Sequence, residues 1–107
     1  VVALEGEAPT LTGARLADGR FVPLKALFIG SRIRQGGDFA QALGCELEET
    51  PLGCIVKVDE MKQTSQAGVF AAGDMARMAG NITMASADGV MAGVGLHRSL
   101  IAEEAGL

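Results

Sequence analysis

The chain has 107 residues, 49% of them hydrophobic and 21% charged, a balance typical of one compact folded unit rather than a disordered chain. Its formal net charge of −4 argues against a nucleic-acid partner, which would require clustered Lys and Arg. Without an apolar run of membrane-spanning length or a secretory signal, we expect a cytoplasmic protein with no membrane partner.

The N-terminal part contains three short apolar or alternating runs, at residues 1–4, 11–16 and 21–24. The Asp18-Gly19 pair between the second and third runs predicts a hairpin with a type I′ turn, in which both central residues have positive φ. Pro lacks an amide donor, so the third run, which contains Pro23, belongs at an edge. A small antiparallel β-meander over 1–25 is the result.

Residues 26–30 (Ala-Leu-Phe-Ile-Gly) are apolar up to a glycine, which favours a short buried strand of a parallel sheet. After a polar loop, Asp38 is predicted to cap a short helix that reaches Leu43 and ends at Gly44. Phe39, Leu43 and to a lesser extent Ala42 should then face the core.

The acidic group at 46–49 has no accompanying histidine, so it favours a solvated loop over a metal site. Cys45 and Cys54 form neither a Cys-x-x-Cys pair nor a zinc ligand set. We therefore expect two reduced, partly buried cysteines. The alternating β-branched run at 54–58 predicts a further strand.

The stretch 64–74 (Thr-Ser-Gln-Ala-Gly-Val-Phe-Ala-Ala-Gly-Asp) combines a turn, a short apolar run and a Gly-Asp pair. The run at 69–72 predicts a strand buried on both faces. Asp74 would then lie at the carboxyl end of that strand, where ligands bind in open α/β sheets. Gly73, which lacks a side chain, would allow a close approach.

A long helix is predicted from Ile82 to about Glu104, with Asn81 as its N-cap. Its apolar spacing predicts that the first half is almost wholly buried. Glycines inside a helix lower its stability by roughly 1 kcal/mol each relative to Ala, so they imply close packing, and the Gly93-Val94-Gly95 pair is a packing feature rather than a phosphate loop. The inward positions are Ile82, Ala85, Gly89, Ala92, Gly93, Leu96 and Leu100.

Asp74 and the start of this helix together predict half of a binding site. The carboxylate could accept hydrogen bonds from sugar-like hydroxyls, and the free amides of the first helical turn carry about half a positive charge for an anionic or carbonyl edge. The alternative, which the residues leave open, is that Asp74 only caps a turn and Asn81 only caps a helix.

The stretch 64–74, followed by Asn81-Ile82-Thr83 and the small-residue helix, resembles the C-terminal flavin-binding signature of the thioredoxin-reductase-like FAD/NAD(P) oxidoreductases. The segment 26–30 with its preceding hairpins is similar to the point where that family's chain returns from the nicotinamide-nucleotide domain to the FAD domain. The resemblance implies an α/β fold, a partial Rossmann-like, three-layer FAD-binding domain at 26–107, preceded by the meander at 1–25.

The resemblance also implies roles for five residues. Asp74, with Gly73, would meet the ribityl or pyrophosphate-proximal hydroxyls of FAD, and Asn81, Ile82 and Thr83 would lie against the pyrimidine edge of the isoalloxazine. Thioredoxin reductases have Arg-Gln-Ala where this chain has Gly-Asn-Ile at 80–82. That difference implies an electron acceptor other than thioredoxin.

The family's Gly-x-Gly-x-x-Gly motif, nicotinamide-binding motif and redox Cys-x-x-Cys have no counterpart in this chain. We therefore expect a C-terminal piece of an enzyme that passes electrons from NAD(P)H through FAD to a disulfide or a small molecule. The piece alone should be inactive, should not retain FAD, and contains no catalytic residue or metal ligand. A homodimer is expected, and the alternative function is a self-associating module without catalysis.

Overall fold

The computed structural model describes all 107 residues, which divide into two compact units, 1–30 and 31–107. The chain combines short antiparallel sheets with one long C-terminal helix, as the sequence predicted. Neither of its two α-helices has the combination of length and hydropathy that a membrane span requires.

The first unit is a three-stranded antiparallel sheet with the strand order β1-β2-β3. The strands are β1 (Ala3–Glu7), β2 (Thr10–Arg15) and β3 (Phe21–Pro23). An ion pair between Arg15 and Glu5 (2.7 Å) joins β2 to β1. The predicted meander is confirmed, because sequential strands this close together pair through short turns.

The turn between β2 and β3 differs from the predicted type I′ geometry. Only Gly19 of the Asp18-Gly19 pair has a positive φ, +84°, and its amide donates to the carbonyl of Leu16 (3.0 Å). The carboxylate of Asp18 accepts from the amide of Arg20 (3.1 Å). A side-chain contact of this kind stabilises Asp in a turn without positive φ.

The second unit contains α1 (Phe39–Ala42), the antiparallel hairpin of β4 (Leu47–Thr50) and β5 (Gly53–Val56), and α2 (Ile82–Glu104). Its buried apolar core consists of Ala40, Cys45, Val56 and Ala71. The run predicted as a strand at 54–58 is therefore confirmed in its first half. Of the acidic residues predicted in a solvated loop, Glu48 and Glu49 lie instead in strand β4, because β5 supplies a pairing partner. All three, including Glu46 before the strand, are exposed as predicted.

The inward face of α1 was predicted wrongly. Phe39 is 76% exposed and Leu43 is also exposed, whereas Ala40 is buried. A single helical turn presents little more than one residue to the core, and here that residue is Ala40. Asp38 precedes the helix but makes no side-chain cap hydrogen bond, and Gly44 ends it with φ +76° as predicted.

The two short strands predicted as fully buried are also absent. Residues 26–30 have no regular secondary structure, and Phe28 is 99% exposed. Residues 69–72 make only one isolated bridge, between Phe70 and Gln63. A strand needs a neighbour to accept and donate its backbone hydrogen bonds along its length. Residues 69–71 share only two backbone hydrogen bonds with Lys62 and Thr64, and these form a single bridge rather than a strand pair.

The bounds of α2 match the prediction, but its buried face does not. The inward positions form a narrow stripe of small or polar residues, Ala85, Asp88, Ala92, Gly95, Ser99 and Ala102. The larger apolar residues, among them Ile82, Val90 and Leu100, are exposed. The predicted burial of the first half is wrong because the rest of the unit covers only one side of the helix.

Close packing occurs at one of the helix glycines only. A Cβ atom on Gly95 would lie 2.6 Å from the carbonyl oxygen of Met61 and 2.9 Å from Cε1 of Phe70. A Cβ atom on Gly89 or Gly93 would meet no atom within 4 Å. The structure thus requires a glycine at position 95, where the helix touches the backbone of the preceding segment.

Candidate functional site

The Gly-Asp pair lies in a short 3-10 turn, Gly73–Ala76, directly before the segment that leads to α2. Gly73 is buried and has φ +70°, a conformation that other residues adopt at a cost. A Cβ on Gly73 would point at Ala85, 3.5 Å from its Cβ. The need for glycine therefore comes from the backbone conformation, and the turn rests against the start of α2.

Asp74 is the one polar side chain of this turn, and it is exposed. It takes part in none of the five ion pairs of the chain. Both carboxylate oxygens are therefore available to an external hydrogen-bond donor.

Asn81 caps α2 as predicted. Its Oδ1 atom accepts from the amide of Met84 (3.0 Å), and its carbonyl accepts from the amide of Ala85 (2.9 Å). The amides of Ile82 and Thr83 have no intrahelical partner and belong to an exposed first turn. The positive end of the helix dipole lies at the same place.

Asp88, which the sequence analysis missed, forms an ion cluster behind this segment. It is 4% exposed. It accepts two hydrogen bonds from Arg77 (2.7 and 2.9 Å) and pairs with Nζ of Lys62 (2.9 Å). The hydrogen bonds from Arg77, followed by that from Lys62, hold the pKa of the Asp88 carboxyl well below its usual range. We call Asp88, Arg77 and Lys62 the Asp88 ion cluster.

A sequence signal for this cluster does exist. Asp88 lies three residues after Ala85 and four before Ala92, so it interrupts a stripe of small residues at helical spacing. A lone acid in such a stripe needs a basic partner if the stripe is buried. Arg77 is the single charge in the loop that precedes the helix by sequence, which makes it the natural candidate.

Gln35 also holds the 3-10 turn, and no sequence signal indicated this. Its Nε2 atom donates to the carbonyl of Cys54 in β5 (2.9 Å) and to the carbonyl of Met75 (3.2 Å). The polar loop at 31–37 is thereby joined to both the hairpin and the turn that carries Asp74.

The cysteines do not form a redox pair in this structure. Cys45 is buried and Cys54 half-buried, and both are free, as expected. Burial, with a smaller effect from Glu49, raises the pKa of the Cys54 thiol. Since the thiolate is the reactive form, Cys54 is a weak nucleophile at neutral pH.

The groups at this site fit a ligand of the kind predicted. An unpaired carboxylate at Asp74 can accept from hydroxyls, and the amides of Ile82 and Thr83 can donate to an anionic or carbonyl edge. The structure places these donors and acceptors on the two sides of the short segment 75–81. The resemblance assigned these groups to the ribityl and pyrimidine portions of FAD.

Comparison with known proteins identifies the family, although no family model matches the sequence. The chain is 36% identical over 89 residues to a protein described as thioredoxin reductase sirT, from Leptosphaeria maculans. The chain therefore matches one part of a thioredoxin-reductase-like oxidoreductase. This thioredoxin-reductase-like chain aligns over 83% of its own length but over only 27% of that relative.

Two solved structures have a similar fold. An oxidoreductase from Agrobacterium tumefaciens matches 90% of the thioredoxin-reductase-like chain with 42% identity and a TM-score of 0.73. A protein described as HlmI matches 96% of it with 26% identity and a TM-score of 0.75. The chain spans 32% and 31% of these two structures, and thus about a third of their length.

Proposed function

We propose that this chain supplies part of the FAD site of a thioredoxin-reductase-like enzyme. The complete enzyme would pass electrons from NAD(P)H through FAD to a disulfide or a small-molecule acceptor. The observation that carries the proposal is the unpaired Asp74 carboxylate in a turn that rests against Ala85 of α2 through Gly73. The helix itself starts at the Asn81 cap, and the chain is similar to a relative described as a thioredoxin reductase.

Each site residue then has a defined task. Asp74 binds FAD hydroxyls near the ribityl chain or the pyrophosphate, and Gly73 provides the backbone turn that presents it. Asn81 organises the helix start, and the amides of Ile82 and Thr83 donate to the pyrimidine edge of the isoalloxazine. Bound FAD supplies the electron-transfer chemistry, and a positive helix end beside it stabilises negative charge.

We expect a Rossmann-like, three-layer arrangement in the longer protein, because two apolar segments lie outside the sheets of this chain. Residues 26–30 are apolar but exposed, and residues 69–72 are extended with a single bridge. Both are the kind of short apolar run that pairs within a parallel sheet. We therefore expect the isolated chain to be inactive and to bind FAD weakly, because the remaining sheet and the nucleotide-binding motifs are not part of it.

The test compares FAD retention in the longer protein that contains this chain. Asp74→Ala should lower the flavin content and raise the FAD dissociation constant by about tenfold or more, the effect of losing one hydrogen bond to a charged group. Glu48→Ala, which removes an exposed acid in β4, is the matched control and should retain FAD fully. Equal flavin content in the two variants would refute the role of Asp74.

A second test uses the 107-residue chain itself. Purified chain should be colourless and should not quench the fluorescence of added FAD at micromolar concentrations. A yellow protein with a flavin absorbance band would contradict the proposal that the site is incomplete.

Self-association without catalysis is the second candidate function, and the exposed apolar side of α2 favours it. Val90, Val94, Leu100 and Ile101 are all at least 45% exposed, and contiguous apolar surface of this kind promotes association. Light scattering should then report a dimer whose mass falls to that of a monomer in Val90→Asp. A monomer in the unsubstituted chain at high concentration would rule this candidate out.

A further inference from the structure

Both ends of the segment that carries Gly73 and Asp74 are linked by hydrogen bonds and ion pairs to the carboxylate of Asp88. At its start, the amide of Ala71 donates to the carbonyl of Lys62 (3.0 Å), while Nζ of the same Lys62 pairs with Asp88. At its other end, Arg77 pairs with Asp88 through two hydrogen bonds. Residues 71–77, which we call the Gly73 segment, therefore close a loop on the buried carboxylate of Asp88.

The backbone of Lys62 has a conformation that is unfavourable for a residue with a side chain. Lys62 is the one non-glycine residue of the chain with a positive φ, +68°. A side chain in this region raises the backbone energy and persists where surrounding contacts determine it. Lys62 lies in a turn in which its amide donates to the carbonyl of Asp59 (3.1 Å). The hydrogen bond to Ala71 and the ion pair with Asp88 are two further contacts of the same residue, so the turn, the Gly73 segment and Asp88 meet at Lys62.

We propose that Asp88 is a positioning residue that sets the conformation of the Gly73 segment, and through it the placement of Asp74 for FAD. This inference rests on the proposed function for its FAD part. The cluster contains two basic groups and one acid, so both bases converge on Asp88. Asp88 itself is buried and does not touch the ligand groups named above.

Hydrogen–deuterium exchange of the 107-residue chain tests the positional part directly. Asp88→Asn retains the shape of the side chain but removes its charge. The amides of the Gly73 segment should then exchange about ten- to a hundredfold faster, as expected for the loss of hydrogen bonds to a charged group. The amides of the β4–β5 hairpin should change much less.

Two further variants keep the test decisive. Arg77→Lys retains the charge but cannot form the two-pronged contact, so it should give a smaller increase confined to the same segment. Its exchange rates can be measured even if Asp88→Asn does not fold. Lys57→Gln breaks the exposed ion pair with Glu46 (2.9 Å) and should leave exchange in the Gly73 segment unchanged.

The outcomes separate this inference from the proposed function. Unchanged exchange, or an increase that is equal in the hairpin and the Gly73 segment, would overturn the positioning role and leave Asp88 as a general stability determinant. In the longer protein, Asp88→Asn should raise the FAD dissociation constant while Arg77→Lys raises it less; unaltered FAD binding despite faster exchange would also overturn the inference. Failure of the unsubstituted longer protein to bind FAD would refute the proposed function, whereas the exchange result would still decide whether Asp88 positions the segment.

Discussion

Replacing Gly95 with Ala should destabilise the chain, although the same replacement at Gly93 should stabilise it. Both glycines lie in α2, two residues apart, and both changes add one methyl group to the same helix. The environment of that methyl differs. At position 95 it would lie 2.6 Å from the carbonyl oxygen of Met61 and 2.9 Å from the ring of Phe70, and at position 93 it would meet open space.

The magnitudes follow from two opposing effects. Ala is favoured over Gly inside a helix by about 1 kcal/mol, and this gain applies at both positions. Extra volume in a packed contact costs about 1–3 kcal/mol, and it applies only at Gly95, where the nearest atom is a backbone oxygen that cannot rotate away. Gly93→Ala should therefore raise the free energy of unfolding by about 0.5–1 kcal/mol, and Gly95→Ala should lower it by up to about 2 kcal/mol.

Urea unfolding followed by far-UV circular dichroism measures this difference, because α2 provides most of the helical signal. The two variants should differ in unfolding free energy by about 2 kcal/mol, which corresponds to roughly 10 °C in Tm for a chain of this size. Equal slopes of unfolding free energy against urea concentration would show that both variants unfold from the same compact state. A Gly95→Ala variant as stable as Gly93→Ala would refute the close contact between α2 and the backbone of Met61.

Further predictions concern the cap, the turn and the ion cluster. Asn81→Ala removes the hydrogen bond to Met84 and should lower the unfolding free energy by about 1 kcal/mol in urea titration, whereas Asn81→Ser should largely preserve it. Gly73→Ala places a side chain at φ +70° and should cost about 1–2 kcal/mol by the same assay; no loss would contradict the left-handed conformation. Because Asp88 has a lower pKa folded than unfolded, its stabilisation is present at neutral pH and should be lost as pH falls below the unfolded value of 3.8. As pH falls, the unfolding free energy of Asp88→Asn should decrease less steeply than that of the unsubstituted chain. Identical slopes of unfolding free energy against pH would contradict the ion cluster.

The predictions that the structure confirms concern features that depend on residues close together in the sequence. Asn81 followed by apolar residues at helical spacing predicted α2 and its N-cap, because a helix satisfies its backbone hydrogen bonds within itself. The meander over 1–25 was predictable for a similar reason, since its strands are joined by short turns. The candidate site residues Asp74 and Asn81 were likewise chosen from local signals, a Gly-Asp pair after an apolar run and a capping residue before a helix; of these roles, the helix cap is observed.

Features that depend on distant partners were not predictable in this way. The apolar runs at 26–30 and 69–72 have the composition of buried strands, but a strand exists only where another segment pairs with it. The sequence of α2 contains apolar residues around most of its circumference, so its pattern alone could not select the inward face. The contact of Gly95 with Met61 selects that face.

The amino-acid sequence by itself thus determined the family, the start and extent of α2, and the Gly-Asp pair at the candidate FAD site. Only the tertiary structure revealed that Asp88 binds Lys62 and Arg77 behind that pair. The physical reason is that a helix cap or a tight turn uses hydrogen bonds within a few residues, whereas a buried carboxylate needs compensating charges from wherever the fold brings them. Lys62 and Arg77 meet at Asp88 because the chain folds back on α2.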